Sequence, residues 1–166
     1  MVTDKIYLVG FMAAGKTTVA RLLARRLSWR VRDLDALIEA RERCSVADIF
    51  AQSGEPYFRQ VESEVLRTLL PERHAIVAAG GGTYSLPANR AAMNADGLVI
   101  WLDAPLEEIM ARLPTDGSRP LVQGRTQLER LYRARRASYA AAHVQLDTRG
   151  KAAEELVEWL VDHLEL

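Results

Sequence analysis

Between the apolar run Ile6-Tyr7-Leu8-Val9 and a helical pattern that begins at Lys16, residues 10–18 read GFMAAGKTT. Glycine, glycine, lysine and threonine at the spacing of Gly10, Gly15, Lys16 and Thr17 form a phosphate-binding loop only when a strand enters and a helix leaves. Both are present. Gly10 and Gly15 allow a sharp turn whose successive N–H groups point inward, and the helix starting at Lys16 adds free N–H groups and its positive dipole end. In such a loop the lysine reaches β/γ-phosphates and the threonine hydroxyl can ligate Mg²⁺. A chance match in a surface turn is the rival reading, and the flanking strand and helix argue against it.

The remaining pattern alternates strands and helices. Residues 6–9, 75–79, 98–102 and 144–146 read as strands, with a weaker one just before Asp33. Helical spacing joins Val19, Leu22, Leu23 and Leu27. Ser45 is placed as the N-cap of a helix over 46–52 that Gly54 ends. Pro87 and Pro105 stand where a first helical turn tolerates them. A C-terminal helix over 152–164 is expected to bury Leu156, Leu160, Val161 and Leu164. Near-continuous apolar strands separated by helices predict a parallel sheet covered on both sides, an α/β fold.

Size and charge narrow the function. The 166 residues, 49% of them hydrophobic, suit one domain with one core, so residues 1–166 are expected to form a single unit. Its 22 basic and 22 acidic residues cancel, which argues against a nucleic-acid surface or a membrane patch. No apolar run approaches the roughly 20 residues of a membrane span, and no leader peptide is expected. Cys44 is the one cysteine, so no internal disulfide forms and a reducing cytoplasm is expected. His74, His143 and His163 lack metal-ligand spacing and receive no catalytic role. A monomer is expected.

Four further segments carry chemistry. Asp33-Leu34-Asp35 follows the second strand, at the sheet edge where ligands bind. A carboxylate there can hold Mg²⁺ waters or accept a hydroxyl proton; alternatively one or both cap the next helix, for which Asp35 is placed. Gly80-Gly81-Gly82 directly follows a strand, which suits close approach of the main chain to a ligand or a tight turn. Arg59, in Gly54-Glu55-Pro56-Tyr57-Phe58-Arg59 with Glu62 beyond, lies early in a helix, where the dipole disfavours a cation. Residues 114–124 have loop composition and include Arg119-Pro120-Leu121, with Arg112 ending the helix before them. Arg130, Arg133, Arg135 and Arg136 spread over a helix at 126–142; most should be solvated, and Tyr139 hints at which one matters.

Taken together these segments resemble the shikimate kinase family over nearly the whole chain. The resemblance rests on GFMAAGKTT, Asp33-Leu-Asp35-Ala-Leu-Ile-Glu39, Gly54-Glu-x-x-Phe58-Arg59, Gly80-Gly81-Gly82, Arg119-Pro120-Leu121 and Arg135-x-x-x-Tyr139. It implies a five-stranded parallel sheet of order 2-3-1-4-5, a lid at about 113–124 and an acceptor-binding segment at about 33–62. It implies phosphorylation of the 3-hydroxyl of shikimate by ATP with Mg²⁺. Lys16, Asp35 and Arg119 would be catalytic, with Asp35 the base or orienting group. Ala13, Ala14, Gly15, Lys16, Thr17, Thr18, Arg112, Arg119 and Arg149 would bind the nucleotide, the segment 147–151 closing over the adenine edge. Asp35, Phe58, Arg59, Gly80, Gly81, Gly82 and Arg135 would bind shikimate, the two arginines gripping its carboxylate. Thr17 and, through water, Asp33 would hold the metal.

Three positions depart from the family pattern: Ala13 in place of glycine, Leu34 between the aspartates, and no proline in 147–151. A positive φ at Ala13 would cost ATP affinity; a helical or extended one would not. Related small-acceptor kinases are the alternatives. Gluconate kinases carry a His-Pro segment that is absent here, whereas an aminoshikimate-type acceptor is compatible with the same arginines. The glycine triplet and Arg119-Pro120-Leu121 fit nucleoside monophosphate kinases poorly. Intact Lys16, Thr17, Asp33, Asp35 and Arg119 argue against an idle nucleotide-binding module.

Overall fold

The structure is a computed structural model that describes residues 3–113, 124–164 and 166. Its five strands are β1 (Lys5–Val9), β2 (Arg30–Asp33), β3 (Ala75–Ala78), β4 (Leu98–Asp103) and β5 (Val144–Asp147). They form one parallel sheet in the order β2-β3-β1-β4-β5. The order follows from burial. β1 and β3 are apolar along their length, apart from Lys5, and wholly buried, so they take the centre. The polar-interrupted β2 and β5 take the edges, where exposed Arg30, Gln145 and Asp147 meet water.

The connecting helices flank this sheet: α1 (Lys16–Leu27), α2 (Leu34–Glu42), α3 (Val46–Leu69), α4 (Pro87–Asp96), α5 (Leu106–Arg112), α6 (Arg125–Tyr139) and α7 (Ala153–Leu164). Ser45 caps α3 as expected, its Oγ accepting the Asp48 N–H at 3.1 Å. Gly54, non-helical at φ 79°, ψ 171°, ends the first helical run of α3 as expected, and across this kink a second run carries Phe58, Arg59 and Glu62. Glycine tolerates that positive φ, and Pro56 then falls in a renewed first turn. The cap of α2 is Asp33, which accepts the Ala36 N–H at 3.1 Å, and not Asp35, which sits in the first turn. α6 stops at Tyr139, short of the predicted 142, because the Ala142 N–H turns back to the Tyr139 carbonyl at 2.9 Å. In α7 the buried stripe is Leu156, Val157 and Leu160, while Val161 and Leu164 are only half-buried. The face packed toward α1 therefore takes in Val157, one turn before the expected Val161.

At the amino ends of the strands lies a buried ionic knot. Lys5 is fully buried, and its Nζ donates to Asp96 Oδ2 at 2.6 Å and to the Leu69 and Leu70 carbonyls at 2.5 and 3.2 Å. The Tyr7 hydroxyl donates to the same Asp96 oxygen at 2.5 Å, and Arg73 reaches Oδ1 at 3.2 Å. Burial works against ionisation of Asp96, but the Lys5 and Tyr7 hydrogen bonds outweigh it and hold the carboxyl below its ordinary range. Asp96→Ala would strand the Lys5 charge and should lower the unfolding free energy in urea by about 3–5 kcal/mol, the cost of breaking a buried pair. Removing Asp4 from its exposed 3.5 Å pair with Arg73 should leave the urea midpoint in place.

Candidate active site

The described residues of the phosphate loop, Asp33–Asp35, Arg59, the glycine triplet and Arg135 gather at the carboxyl edge of the sheet, where an open parallel sheet binds ligands. β1 delivers the phosphate loop there. A Cβ on Gly10, at φ 147°, would stand 2.7 Å from the Leu102 carbonyl oxygen of β4, so the loop can leave the strand only with glycine at this position. Gly15 opens α1, and the Lys16 ammonium folds back to donate to the Gly10 and Phe11 carbonyls at 2.8 Å each. The Thr17 hydroxyl donates to Asp33 Oδ2 at 2.9 Å, while Asp33 Oδ1 caps α2. One carboxylate thus joins the loop to the next helix. Thr18 lines the cleft above the loop, whereas Ala14 turns its side chain into the core.

Ala13 is in the left-handed region at φ 60°, the positive φ that the alanine-for-glycine departure left open. An L-residue there is strained by about 1–2 kcal/mol. Its carbonyl accepts an Arg112 Nη1 bond at 3.1 Å. Arg112 also pairs with Glu108 at 3.4 Å, and the other Glu108 oxygen accepts the Gly150 N–H at 3.0 Å. Glu108 therefore brings Arg112, the strained loop residue and the 147–151 segment into one corner. The Arg149 side chain is exposed, and its main-chain N–H closes a turn onto Asp147 at 2.9 Å.

Two clefts adjoin across Met12, Asp35, Gly80 and Gly81. The first is lined by the phosphate loop and Asp33. The second is lined by Arg59, Glu62, Gly82 and Arg135 and by apolar Val46, Phe50, Phe58 and Leu131. A Cβ on Gly82 would be 2.5 Å from Arg59 Nη2 and would overlap the Arg135 guanidinium, so both cations lie against the bare main chain. Arg59 pairs with Glu62 at 2.9 Å and packs 5.2 Å from the Phe58 ring centroid. The other Glu62 oxygen accepts from Thr83 at 2.7 Å, and the Tyr139 hydroxyl donates to the Gly81 carbonyl.

Burial pushes the Glu62 pKa up against the opposing pull of Arg59 and Thr83. Burial, with Arg59 nearby, lowers that of Arg135, and burial raises that of Tyr139. Thr83, Met12 and Glu108 were not singled out from sequence. The i, i+4 spacing of Glu108 and Arg112 was the one available signal for the last of them. Arg119 and the rest of 114–123 lie outside the described residues, so this much of the expected lid and its Arg119-Pro120-Leu121 stays with the sequence argument.

A phosphate cradle that opens onto a second cleft lined by cations suits movement of a phosphoryl group between two bound partners. That defines a P-loop kinase with a small-molecule acceptor. The family model for shikimate kinase matches residues 12–165, and the chain belongs to that family. It is 38% identical to the shikimate kinase of Persephonella marina over 96% of this chain and 98% of that one. It is 44% identical to the Geobacter sulfurreducens shikimate kinase over 92% of this chain and 86% of the relative. The solved shikimate kinase from Acinetobacter baumannii in complex with shikimate superimposes with a TM-score of 0.93 at 34% identity, covering 98% of this chain and 93% of that one. The protein is accordingly an ATP-dependent kinase that phosphorylates a hydroxyl of shikimate.

Two variants test the local physics. Ala13→Gly should raise the thermal midpoint by about 2–4 °C in calorimetry without ligands, since strain relief exceeds the roughly 0.4–1 kcal/mol of added chain entropy. A lower midpoint would mean that the loop is not strained. For Glu62 the folded pKa lies above its ordinary 4.5, so its contribution to stability is full below 4.5 and is lost as pH rises through the raised value. Glutamine mimics the protonated form at every pH. The midpoint of Glu62→Gln relative to wild type should therefore climb as pH is raised from about 4 to about 8.

Proposed function

We propose that the enzyme transfers the γ-phosphate of ATP to the 3-hydroxyl of shikimate, giving shikimate 3-phosphate and ADP. The observation that carries this reading is the meeting of Arg59 and Arg135 at Gly82, in a cleft that reaches the phosphate loop through Asp35. Two guanidiniums side by side suit a carboxylate, which each can grip in bidentate fashion. Phe58 and the main chain of Gly80, Gly81 and Gly82 would bound the ring on the same side. Asp35, shared by both clefts, would orient the acceptor hydroxyl and take its proton.

On the nucleotide side, the main chain of residues 13–18 would cradle the phosphates. Lys16 would exchange its loop carbonyls for phosphate oxygens and neutralise charge as the phosphoryl group moves. Arg112 and the 147–151 segment with Arg149 would flank the adenine, supported by the shared Glu108 bridge. Thr17 and Asp33 are hard oxygen donors in mutual contact within this cleft, which fits Mg²⁺ completed by phosphate oxygens and water. When bound, the ion would neutralise the β/γ-phosphate oxygens. Arg119 and the lid at 113–124 enter on sequence resemblance alone. Residues 1–166 would act as one kinase domain, with 33–62 as its acceptor-binding segment. The enzyme would act as a monomer in the cytoplasm, where a single partly buried thiol, Cys44, suits the reducing environment.

Arg59 and Arg135 decide what the acceptor is. Removing one half of a desolvated charge pair costs about 2–5 kcal/mol. Arg59→Ala and Arg135→Ala should each weaken shikimate binding at least about tenfold by calorimetric titration, 1.4 kcal/mol being a factor of ten. ATP affinity without acceptor should hold. The wild-type enzyme should show the same loss toward a shikimate analogue whose carboxylate is a neutral amide. Equal binding of acid and amide would move the reading to a kinase of neutral acceptors.

A further inference from the structure

Helix α6 carries two neighbouring rows of side chains at four-residue spacing, and they face different things. Arg135 and Tyr139 form one row: the first lines the acceptor cleft beside Gly82, the second donates to the Gly81 carbonyl. Tyr132 and Arg136 form the other, and both are tied to the end of β4. The Tyr132 hydroxyl donates to the Ala104 carbonyl at 2.9 Å, and its ring meets Phe11 of the phosphate loop edge-on, centroids 5.4 Å apart. Arg136 forks onto Asp103, Nη1 to Oδ1 and Nη2 to Oδ2, the second at 3.1 Å. Its guanidinium also lies 4.8 Å from the Trp101 ring centroid.

Asp103 is well placed to anchor. Its side chain is only 14% exposed, and Gln145 of β5 donates to its Oδ2 at 2.7 Å. Its main-chain carbonyl accepts the Thr148 N–H at 3.1 Å, so the residue itself is held by two segments beyond β4. A planar fork resists rotation, which a single point contact does not. The solvated role expected for most arginines of this helix holds for exposed Arg130 and Arg133 and fails for Arg136.

This matters because Arg135 is the adjacent residue on the same helix. It sits close to Arg59 beside the bare main chain of Gly82, so a small rotation of α6 changes where its guanidinium points relative to Arg59. The fork holds the neighbouring row. We propose that Arg136 and Asp103 are positioning residues for the acceptor: their fork sets the rotation of α6, so that Arg135 meets the shikimate carboxylate beside Arg59. The inference rests on the reading of Arg135 as a carboxylate ligand.

The test compares Asp103→Asn, Arg136→Gln, Arg136→Lys and the double variant Asp103→Asn/Arg136→Gln with Arg135→Ala as reference. KM for shikimate, KM for ATP, kcat and the thermal midpoint are measured for each. Asp103→Asn and Arg136→Gln should raise the shikimate KM at least about fivefold with the ATP KM nearly unchanged, and the double variant should be no worse than the poorer single. Arg136→Lys keeps the charge, changes the fold least and cannot fork, so it should lose most of the same affinity. An unchanged shikimate KM in folded Arg136→Lys, with Arg135→Ala impaired, overturns the positioning role and leaves the Arg135 reading intact. Equal rises in both KM values overturn it too, since they report general loosening. An unimpaired Arg135→Ala overturns the ligand reading first and the positioning role with it.

Discussion

Three successive positions without a Cβ at the end of β3 set the spacing of the whole site. A methyl group on Gly80 would stand 3.0 Å from the Thr83 hydroxyl and 3.1 Å from the Asp35 and Glu62 carboxylates. On Gly81 it would lie 3.4 Å from the Met12 N–H of the phosphate loop, and on Gly82 it would run into both arginines. One strip of bare main chain thus touches the nucleotide side, the acceptor carboxylates and the acceptor cations in turn. Side chains there would push the two clefts apart and lengthen the path a phosphoryl group must cross. The strip extends a wholly buried central strand, which limits how far it can give.

Around that strip the charges are arranged to be incomplete. Arg59 pairs with exposed Glu55 at 3.4 Å and with Glu62 at 2.9 Å, but Glu62 is 1% exposed and burial pushes its carboxyl toward its neutral form. Arg135 is held partly desolvated, and Arg59 works against its charge. Such a cleft gains most from a ligand that brings its own anion, because the ligand relieves repulsion as well as forming hydrogen bonds. A neutral isostere would leave both guanidiniums desolvated and poorly matched. On the proposed reading, selectivity for a carboxylate would come from these two guanidiniums together.

Much of this could be read from the chain before the coordinates. The phosphate loop, the Asp33-Leu34-Asp35 segment, the glycine triplet and Arg59 stand in sequence as breaks in an otherwise regular pattern, and each lies at the carboxyl edge of the sheet. The strand order was legible only through the family resemblance, since periodicity says which segments are strands and not which are neighbours. Other features depend on tertiary contact and leave no local trace. Asp33 rather than Asp35 caps α2 because Asp33 ends an extended strand at ψ 115°, the backbone that an N-cap requires. Glu62 meets Thr83 across 21 residues, and Asp103 meets Arg136 across 33. Val157 replaces Val161 in the core because the stripe on α7 follows the surface of α1, which the helix's own pattern does not contain.

The sheet divides its tasks between its two ends. At the amino ends the Lys5–Asp96–Tyr7 knot is closed, with one carboxylate serving two buried donors and Arg73 at its margin. At the carboxyl ends the groups are deliberately unsettled by comparison: Ala13 at a positive φ, Lys16 on its own loop carbonyls, two arginines side by side. Strain and repulsion of this kind persist only where the surroundings over-determine them. The parallel strands provide that constraint, because every strand carries its rigid packing from the closed end to the open one. Anchors such as the Asp103 fork then matter more than their own energy suggests. The fork ties Arg136, the residue next to Arg135 on α6, to the carboxyl end of β4.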